Sequence, residues 1–233
     1  MERIDKIIAS QGKYSRSEVK ALMSKGRISV DGKIVKSSNT KADPEKSVIC
    51  VDGVPLVFKR QVYLMLNKPQ GYVSATEDKE HQTVLELVPE LYRGRELFPA
   101  GRLDKDTTGL MIITDDGVMA HNILSPKKHV QKIYQVELDI PMTQQMVQGF
   151  ADGVQLNDGV CKDASLVITG THSGTVTLRE GRYHQIKRMF GCFGGKVVKL
   201  HRVAMGNLHL PDDLPEGECR ELTEEQLNLL QQK

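Results

Sequence analysis

Gly101-Arg102-Leu103-Asp104-Lys105-Asp106-Thr107-Thr108-Gly109, running into Leu110-Met111-Ile112-Ile113, is the stretch on which the fold and the chemistry of this chain turn. It follows a Pro99-Ala100-Gly101 turn, and the apolar run after it is β-like. Asp104 is therefore expected at an exposed strand end. Alternation along an extended chain puts Arg102 on the same face, so the guanidinium can favour the ionised acid. An ionised carboxylate in a cleft is a candidate nucleophile of the kind that attacks sugars and electron-poor rings. Two plainer readings compete. Asp104, Asp106, Thr108, Gly109 and Asp115 fit a calcium-loop spacing, but Pro99 and Gly101 spoil the incoming helix and the closing residue is Asp rather than Glu. A surface ion pair between Arg102 and Asp104 would contribute only about 0–1 kcal/mol.

Working outward, strands dominate: Tyr63 to Leu66, Leu110 to Thr114, Ile133 to Ile140, Thr175 to Leu178 and Lys196 to Val203. Asp115-Asp116-Gly117 and Asn157-Asp158-Gly159 supply turn chemistry. Few helices lie between these strands, so the expected class is α+β with a mixed, mostly antiparallel sheet and flanking helices. One helix is expected around Tyr183 to Phe193, with Ile186, Met189, Phe190 and Phe193 on its apolar side. Another is expected after Thr223, capped through Gln226, with Leu227 and Leu230 on one face.

Residues 1–58 read as a separate small unit of two helices and short hairpins. Ile4, Ile7 and Ile8 form one helical stripe, and Ser15-Arg16-Ser17-Glu18 is a capping box for a helix burying Val19, Leu22 and Met23. Gly26 suits a left-handed helix end, and Ile28 to Val30, Asp31-Gly32 and Lys33 to Val35 read as a hairpin. A second Val51-Asp52-Gly53 closes another strand pair. Residues 59–61 read as a linker and 62–233 as the larger domain.

The net charge of +2 hides an asymmetry, because residues 1–60 hold 13 Lys/Arg against 7 Asp/Glu. Lys13, Arg16, Lys20 and Arg27 group on one expected surface off the apolar stripe, as phosphate binding needs. Residues 212–225 hold seven acids and one Arg, which reads as a solvated surface. The chain opens without a secretory pattern and has no apolar run near the roughly 20 residues of a membrane span. A cytoplasmic protein without membrane contact is expected. Cys50, Cys161, Cys192 and Cys219 lack metal or redox spacing and read as buried, reduced thiols. No Gly-x-Ser-x-Gly elbow accompanies His121 and Ser125, and Gly194-Gly195-Lys196 is no phosphate loop.

The pattern Arg3-Ile4-Asp5-Lys6, Ser15-Arg16 and Gly26-Arg27-Ile28-Ser29-Val30-Asp31-Gly32 resembles the S4 RNA-binding domain. The larger part resembles pseudouridine synthases, with four segments in family order. Leu66-Asn67-Lys68-Pro69-Gln70-Gly71-Tyr72 is similar to their first motif. Gly101-Arg102-Leu103-Asp104 with Thr107-Thr108-Gly109-Leu110 is similar to the second, which carries the nucleophilic aspartate. Lys132-Ile133-Tyr134 is similar to the segment with the active-site tyrosine, and Glu180 to Met189 to the third motif.

The resemblance implies attack by Asp104 at C1′ or C6 of a uridine, leaving the two open. It implies that Tyr134 stacks on the flipped base or serves the C5 proton step, that Lys187 pairs with Asp104, and that Arg102 positions the loop or nucleotide. Many relatives carry Arg in place of Lys187, and Lys lacks the bidentate fork. Ile186, Arg182, His184, Arg188 and Lys68 are implied as substrate-binding residues. The S4 domain together with the third motif is most similar to the small-subunit branch. That branch isomerises one uridine of 16S ribosomal RNA, uridine 516 in the family. The alternatives are a large-subunit (23S) enzyme and a non-catalytic S4-type RNA-binding or ribosome-assembly factor. The reaction needs no metal, nucleotide or redox cofactor. The implied partner is 16S RNA or a small-subunit assembly particle, met by a monomer.

Overall fold

The computed structural model describes residues 1–92, 94–125 and 130–231. The chain divides into two compact units, Met1–Val62 with Val88–Leu97, and Tyr63–Leu87 with Phe98–Lys233.

The first unit runs β1 (Glu2–Arg3), α1 (Ile4–Ala9), α2 (Arg16–Ser24), β2 (Ile28–Val30), β3 (Lys33–Ile34), β4 (Lys41–Ala42), β5 (Ile49–Val51) and β6 (Val54–Pro55). Glu18 N donates to Ser15 Oγ at 3.3 Å and Ser15 N to Glu18 Oε2 at 2.7 Å, the reciprocal cap that starts α2. Gly26, at φ +70°, ends it. Ile4, Ile7, Ile8, Val19, Leu22 and Met23 from the helices meet Ile28, Ile49 and Val51 from the β3-β2-β5-β6 sheet in one core. Residues 59–61, expected as a linker, are pinned within this unit. Lys59 N donates to Gln11 Oε1 at 2.8 Å, and Arg95 donates to the carbonyls of Lys59 and Arg60 at 3.1 and 3.0 Å. Segment 88–97 joins the unit from far along the chain, a return that no local pattern announces.

The second unit is built on a nine-stranded sheet. Its strands are β7 (Tyr63–Lys68), β8 (Phe98–Pro99), β9 (Thr108–Thr114), β10 (Lys132–Leu138), β13 (Ser165–Ile168), β14 (Ser173–Leu178), β15 (Val197–Met205), β16 (Leu208–His209) and β17 (Cys219–Glu221); the pair β11 (Gln155–Leu156) and β12 (Gly159–Val160) forms a separate hairpin. The order β13-β14-β10-β15-β9-β7-β17 is antiparallel throughout except where β15 and β9 run parallel, with β8 on β9 and β16 on β15. This is the mostly antiparallel α+β arrangement expected.

Helix α3 (Gly117–Leu124) and α4 (Gln144–Asp152) were not expected, and α5 (Gln185–Gly191) and α6 (Glu224–Gln231) complete the set. Asp116, read as turn chemistry, instead caps α3, accepting from Val118 N and Met119 N at 3.0 and 2.9 Å. Met119, Ala120 and Ile123 of α3 and Leu230 of α6 pack with Met65, Leu110 and Ile112 of the sheet. Phe150 of α4 meets Phe190 of α5 at 4.7 Å between centroids. The four thiols are free, but only Cys161 is buried; Cys192 is exposed, and Cys50 and Cys219 are half-buried.

Candidate active site

Residues 101–107 form a loop between β8 and β9 rather than an extended strand. The loop is held from inside. Lys68, at the end of β7, is 0% exposed, and its ammonium donates to the carbonyls of Thr107 (2.8 Å), Asp104 (3.1 Å), Pro69 (3.1 Å) and Lys105 (3.3 Å). Burial pulls the pKa of this ammonium down to about 8, and the nearby Asp106 and Asp104 carboxylates oppose that by favouring its charged form. Lys68 was expected against substrate; a side chain enclosed by four carbonyls instead shapes the loop. Ser74 Oγ adds a reciprocal pair with Leu103, donating to its carbonyl at 2.8 Å and accepting from its amide at 2.9 Å.

This loop presents the Asp104 carboxylate to a cavity of about 590 Å³. Across it lies α5. Lys187 Nζ is 2.9 Å from Asp104 Oδ2 and 2.5 Å from Asp106 Oδ1, so one cation bridges two carboxylates. Burial opposes the charge on Lys187, but its hydrogen bonds to Asp106 and Asp104 outweigh that and hold its pKa above the ordinary lysine range. Burial likewise raises the Asp106 carboxyl, and the Lys187 hydrogen bond more than reverses this.

Arg102 is exposed at the cavity rim, and among the described residues it forms no ion pair with Asp104. The alternation argument fails because the segment is a turn, not a strand. His184, expected inside a helix, sits just before α5 in the left-handed conformation (φ +47°). That backbone brings its Nε2 to 3.5 Å from Asp104 Oδ1, with its ring stacked on Tyr183 at 3.8 Å. Ile186 is 4% exposed and Tyr134 is 8% exposed, both on the cavity wall. Arg182 lines the cavity, but its guanidinium donates to the carbonyls of Gly159 and Asp158 at 3.0 and 2.5 Å. Arg188 is engaged by both carboxylate oxygens of Asp158, at 3.2 Å to one of them, so the β11–β12 turn occupies both arginines expected on substrate.

Two buried cations of the cavity wall carried no expectation. Arg202 of β15 and Lys132 of β10 are 2% and 8% exposed. Gly109, at φ +102°, lets β9 approach Arg202 so closely that a Cβ there would stand 2.3 Å from the Arg202 carbonyl. Alternation within Lys132-Ile133-Tyr134 did contain a signal, since residues two apart share a face. Burial, then the nearby Arg202, pulls Lys132 down to about 8. Between that value and the unfolded lysine value the unfolded chain binds more protons than the folded one, so Lys132 makes stability rise with pH there. Thermal melts at pH 7.5 and 9.5 should show this rise shrinking in Lys132→Met; an unchanged pH slope would refute the burial of a charged Lys132.

In the first unit Lys13, Arg16 and Lys20 are exposed, with Lys13 Nζ 5.5 Å from the Tyr14 ring centroid. Arg27 is exposed too, but both its Nε and Nη2 donate to Asp52 at 2.5 Å, which removes it from the free cations of that surface.

The arrangement offers a carboxylate in a loop of fixed shape, a cation beside it, an aromatic wall and room for a pyrimidine. Comparison with known proteins agrees. The RNA pseudouridylate synthase family profile matches residues 62–191, and the S4 domain profile matches residues 2–48. The chain is 45% identical over 230 residues to the ribosomal small subunit pseudouridine synthase A of Yersinia pestis, covering 97% of this chain and 96% of that one. It is 44% identical over 233 residues to an uncharacterized RNA pseudouridine synthase of Bacillus subtilis, covering 98% of each. A crystal structure of a pseudouridylate synthase superposes with a TM-score of 0.70 at 37% identity, covering 99% of this chain and 100% of that one. No helix among the described residues is long and apolar enough to cross a membrane. The chain belongs to the RNA pseudouridylate synthase family and is an RNA pseudouridine synthase with an S4 domain.

Proposed function

We propose that the enzyme isomerises one uridine of small-subunit (16S) ribosomal RNA to pseudouridine, the position being uridine 516. The observation that carries the reading is the Asp104 carboxylate facing the cavity with Lys187 Nζ at 2.9 Å. The choice of RNA is supported by the 44–45% identity to the small-subunit synthases of Yersinia pestis and Escherichia coli over 97% of this chain.

A uridine pulled from its stack, at a cost of a few kcal/mol, enters the cavity against Tyr134 and Ile186. Asp104 attacks C1′ or C6, and Lys187 compensates the carboxylate's charge without the solvent that the nucleotide displaces. Arg102 at the rim orders the nucleotide backbone, and Tyr134 serves the C5 proton. His184 steadies Asp104. Because the bond broken and the bond made belong to one nucleotide, the step consumes no cofactor. The S4 unit docks on RNA through phosphates, and the enzyme acts as a cytoplasmic monomer.

Incubation with 16S and 23S RNA tritiated at uridine C5 tests the assignment. Release from 16S alone, mapping to a single site, is expected; release from 23S alone would overturn the small-subunit reading. Docking has its own signature. With Lys13, Arg16 and Lys20 as the phosphate contacts, log K should fall against log salt with a slope of roughly 2 to 3. The triple alanine variant should flatten that slope; a wild-type slope near zero would remove the docking role.

A further inference from the structure

Lys132, Tyr134 and Arg202 stand together on one face of the sheet. Tyr134 is the direct cross-strand partner of Arg202, and Lys132 lies two residues along β10 on the same side. Both cations line the cavity that Asp104 faces, and both are more than nine-tenths buried. Among the described residues neither forms an ion pair with a carboxylate. Arg202 Nε donates to the Leu110 carbonyl at 2.7 Å, but its Nη2 has no hydrogen-bond partner among the described residues. Among the described residues Lys132 Nζ reaches the Val130 carbonyl alone, at 3.3 Å. Besides Asp104, the acid on the cavity lining is Glu180. Its Oε1 accepts from Gln185 Nε2 at 2.6 Å and from the Lys162 amide at 3.1 Å, and among the described residues it forms no ion pair with either cation.

Two like charges buried side by side without a counter-ion are costly, and they persist where an incoming group completes them. That group is an acceptor or an anion that reaches the cavity floor. The RNA phosphates cannot be it, because they remain continuous with the chain at the mouth, where Arg102, Lys105 and Tyr183 are exposed. The ring of the nucleotide reaches the floor.

We infer that Lys132 and Arg202 seat the carbonyl oxygens of the uracil ring, selecting uracil over cytosine and holding the negative charge that those oxygens gain during the reaction. This rests on the proposed isomerisation and extends it to the base. Attack at C6 sends the ring's electron pair toward C5 and O4. Attack at C1′ breaks the N1–C1′ bond and leaves its pair on N1, shared with O2 and O4. In both routes the charge on O4 rises, and it is discharged once the N1–C1′ bond has broken and C5 has bonded to C1′, the bond to Asp104 breaks to return its carboxylate, C5 loses its proton and N1 gains one. Cytosine presents an amino group in place of O4, so its N–H donors would face N–H donors.

The test compares two small-subunit RNA fragments binding to the full-length Asp104→Asn variant, which halts turnover. One carries uridine at the site mapped in the wild-type product and the other carries cytidine there. The uridine RNA should bind about tenfold or more tighter, as a hydrogen bond to a charged group implies. Adding Lys132→Met should bring the two affinities together, and Lys132→Arg should restore the gap. Equal losses for both RNAs in Lys132→Met would put the cation on the backbone and overturn the inference. Equal affinities for the two RNAs in the Asp104→Asn parent would overturn it without any cavity variant, whether or not Lys132→Met folds. Absence of pseudouridine from the wild-type reaction would instead sink the proposed function, so the two failures are distinguishable.

Discussion

Asp104→Asn is expected to lower the rate of pseudouridine formation by at least about 10⁴-fold, the scale on which loss of a nucleophile is felt in enzymes with covalent intermediates. RNA affinity should stay within a few-fold. The carboxamide has nearly the shape of the carboxylate but no charge and little nucleophilicity. The loop does not depend on that side chain, because it is the Asp104 carbonyl, not the carboxylate, that Lys68 holds at 3.1 Å. Lys187 keeps its contact with Asp106 at 2.5 Å, so its charge is not stranded. Tritium release from C5 measures the first quantity and an equilibrium titration with the same RNA the second. Product at more than about one per cent of the wild-type rate would remove Asp104 as the nucleophile.

Lys68→Met is the second large effect, and it acts through structure. The substitution keeps the volume of the stem and removes the one donor group shared by four carbonyls of the motif loop and its neighbour Pro69. Unsatisfied buried acceptors cost about 1–3 kcal/mol each, and relief of the ammonium's burial offsets part of that, so a net loss of about 2–4 kcal/mol is expected. For a chain of this size the melting temperature should fall by roughly 5–15 °C. Activity measured well below that temperature should fall further than stability alone explains, because Asp104 leaves its place beside Lys187. A variant melting and turning over like wild type would show that the loop holds its shape without the ammonium.

These two residues show how unevenly function was written along the chain. Asp104 could be picked out because a Pro-Ala-Gly turn before it and an apolar β run after it place an acid at a strand end. Its partner could not be picked out by spacing. Local alternation pointed to Arg102, two residues away, whereas the contacts come from Lys187 and His184 about eighty residues on. Lys68 was implied as a substrate contact by the resemblance of its motif, and nothing local signals that four carbonyls converge on it. Arg182 and Arg188 were read the same way, and the carboxylate and carbonyl of Asp158 at a distant turn claimed them.

The S4 unit was legible almost residue by residue. Its capping box, left-handed Gly26 and tight hairpins are local events whose energetics depend on neighbours a few positions apart. The sheet was legible as strands, since β-branched and apolar runs declare themselves. The helix α3 was missed because Asp116 acts equally well as a turn residue and as a cap, and α4 because its cap, Thr143, whose side chain accepts from Met146 N, carries no stronger local signal.

Sequence alone determined the class and most of the elements and singled out Asp104 as the candidate acid, because caps, turns and short motifs are decided within a few residues. Only the tertiary structure decided what surrounds that acid. Lys68 beneath the loop, Lys187 across the cavity and Arg202 with Lys132 on its floor are brought there by strand order and by the close approach of β9 to β15 at Gly109. Charge acts through space and not along the chain, so the partners of a buried ion are known only when the fold has chosen its neighbours.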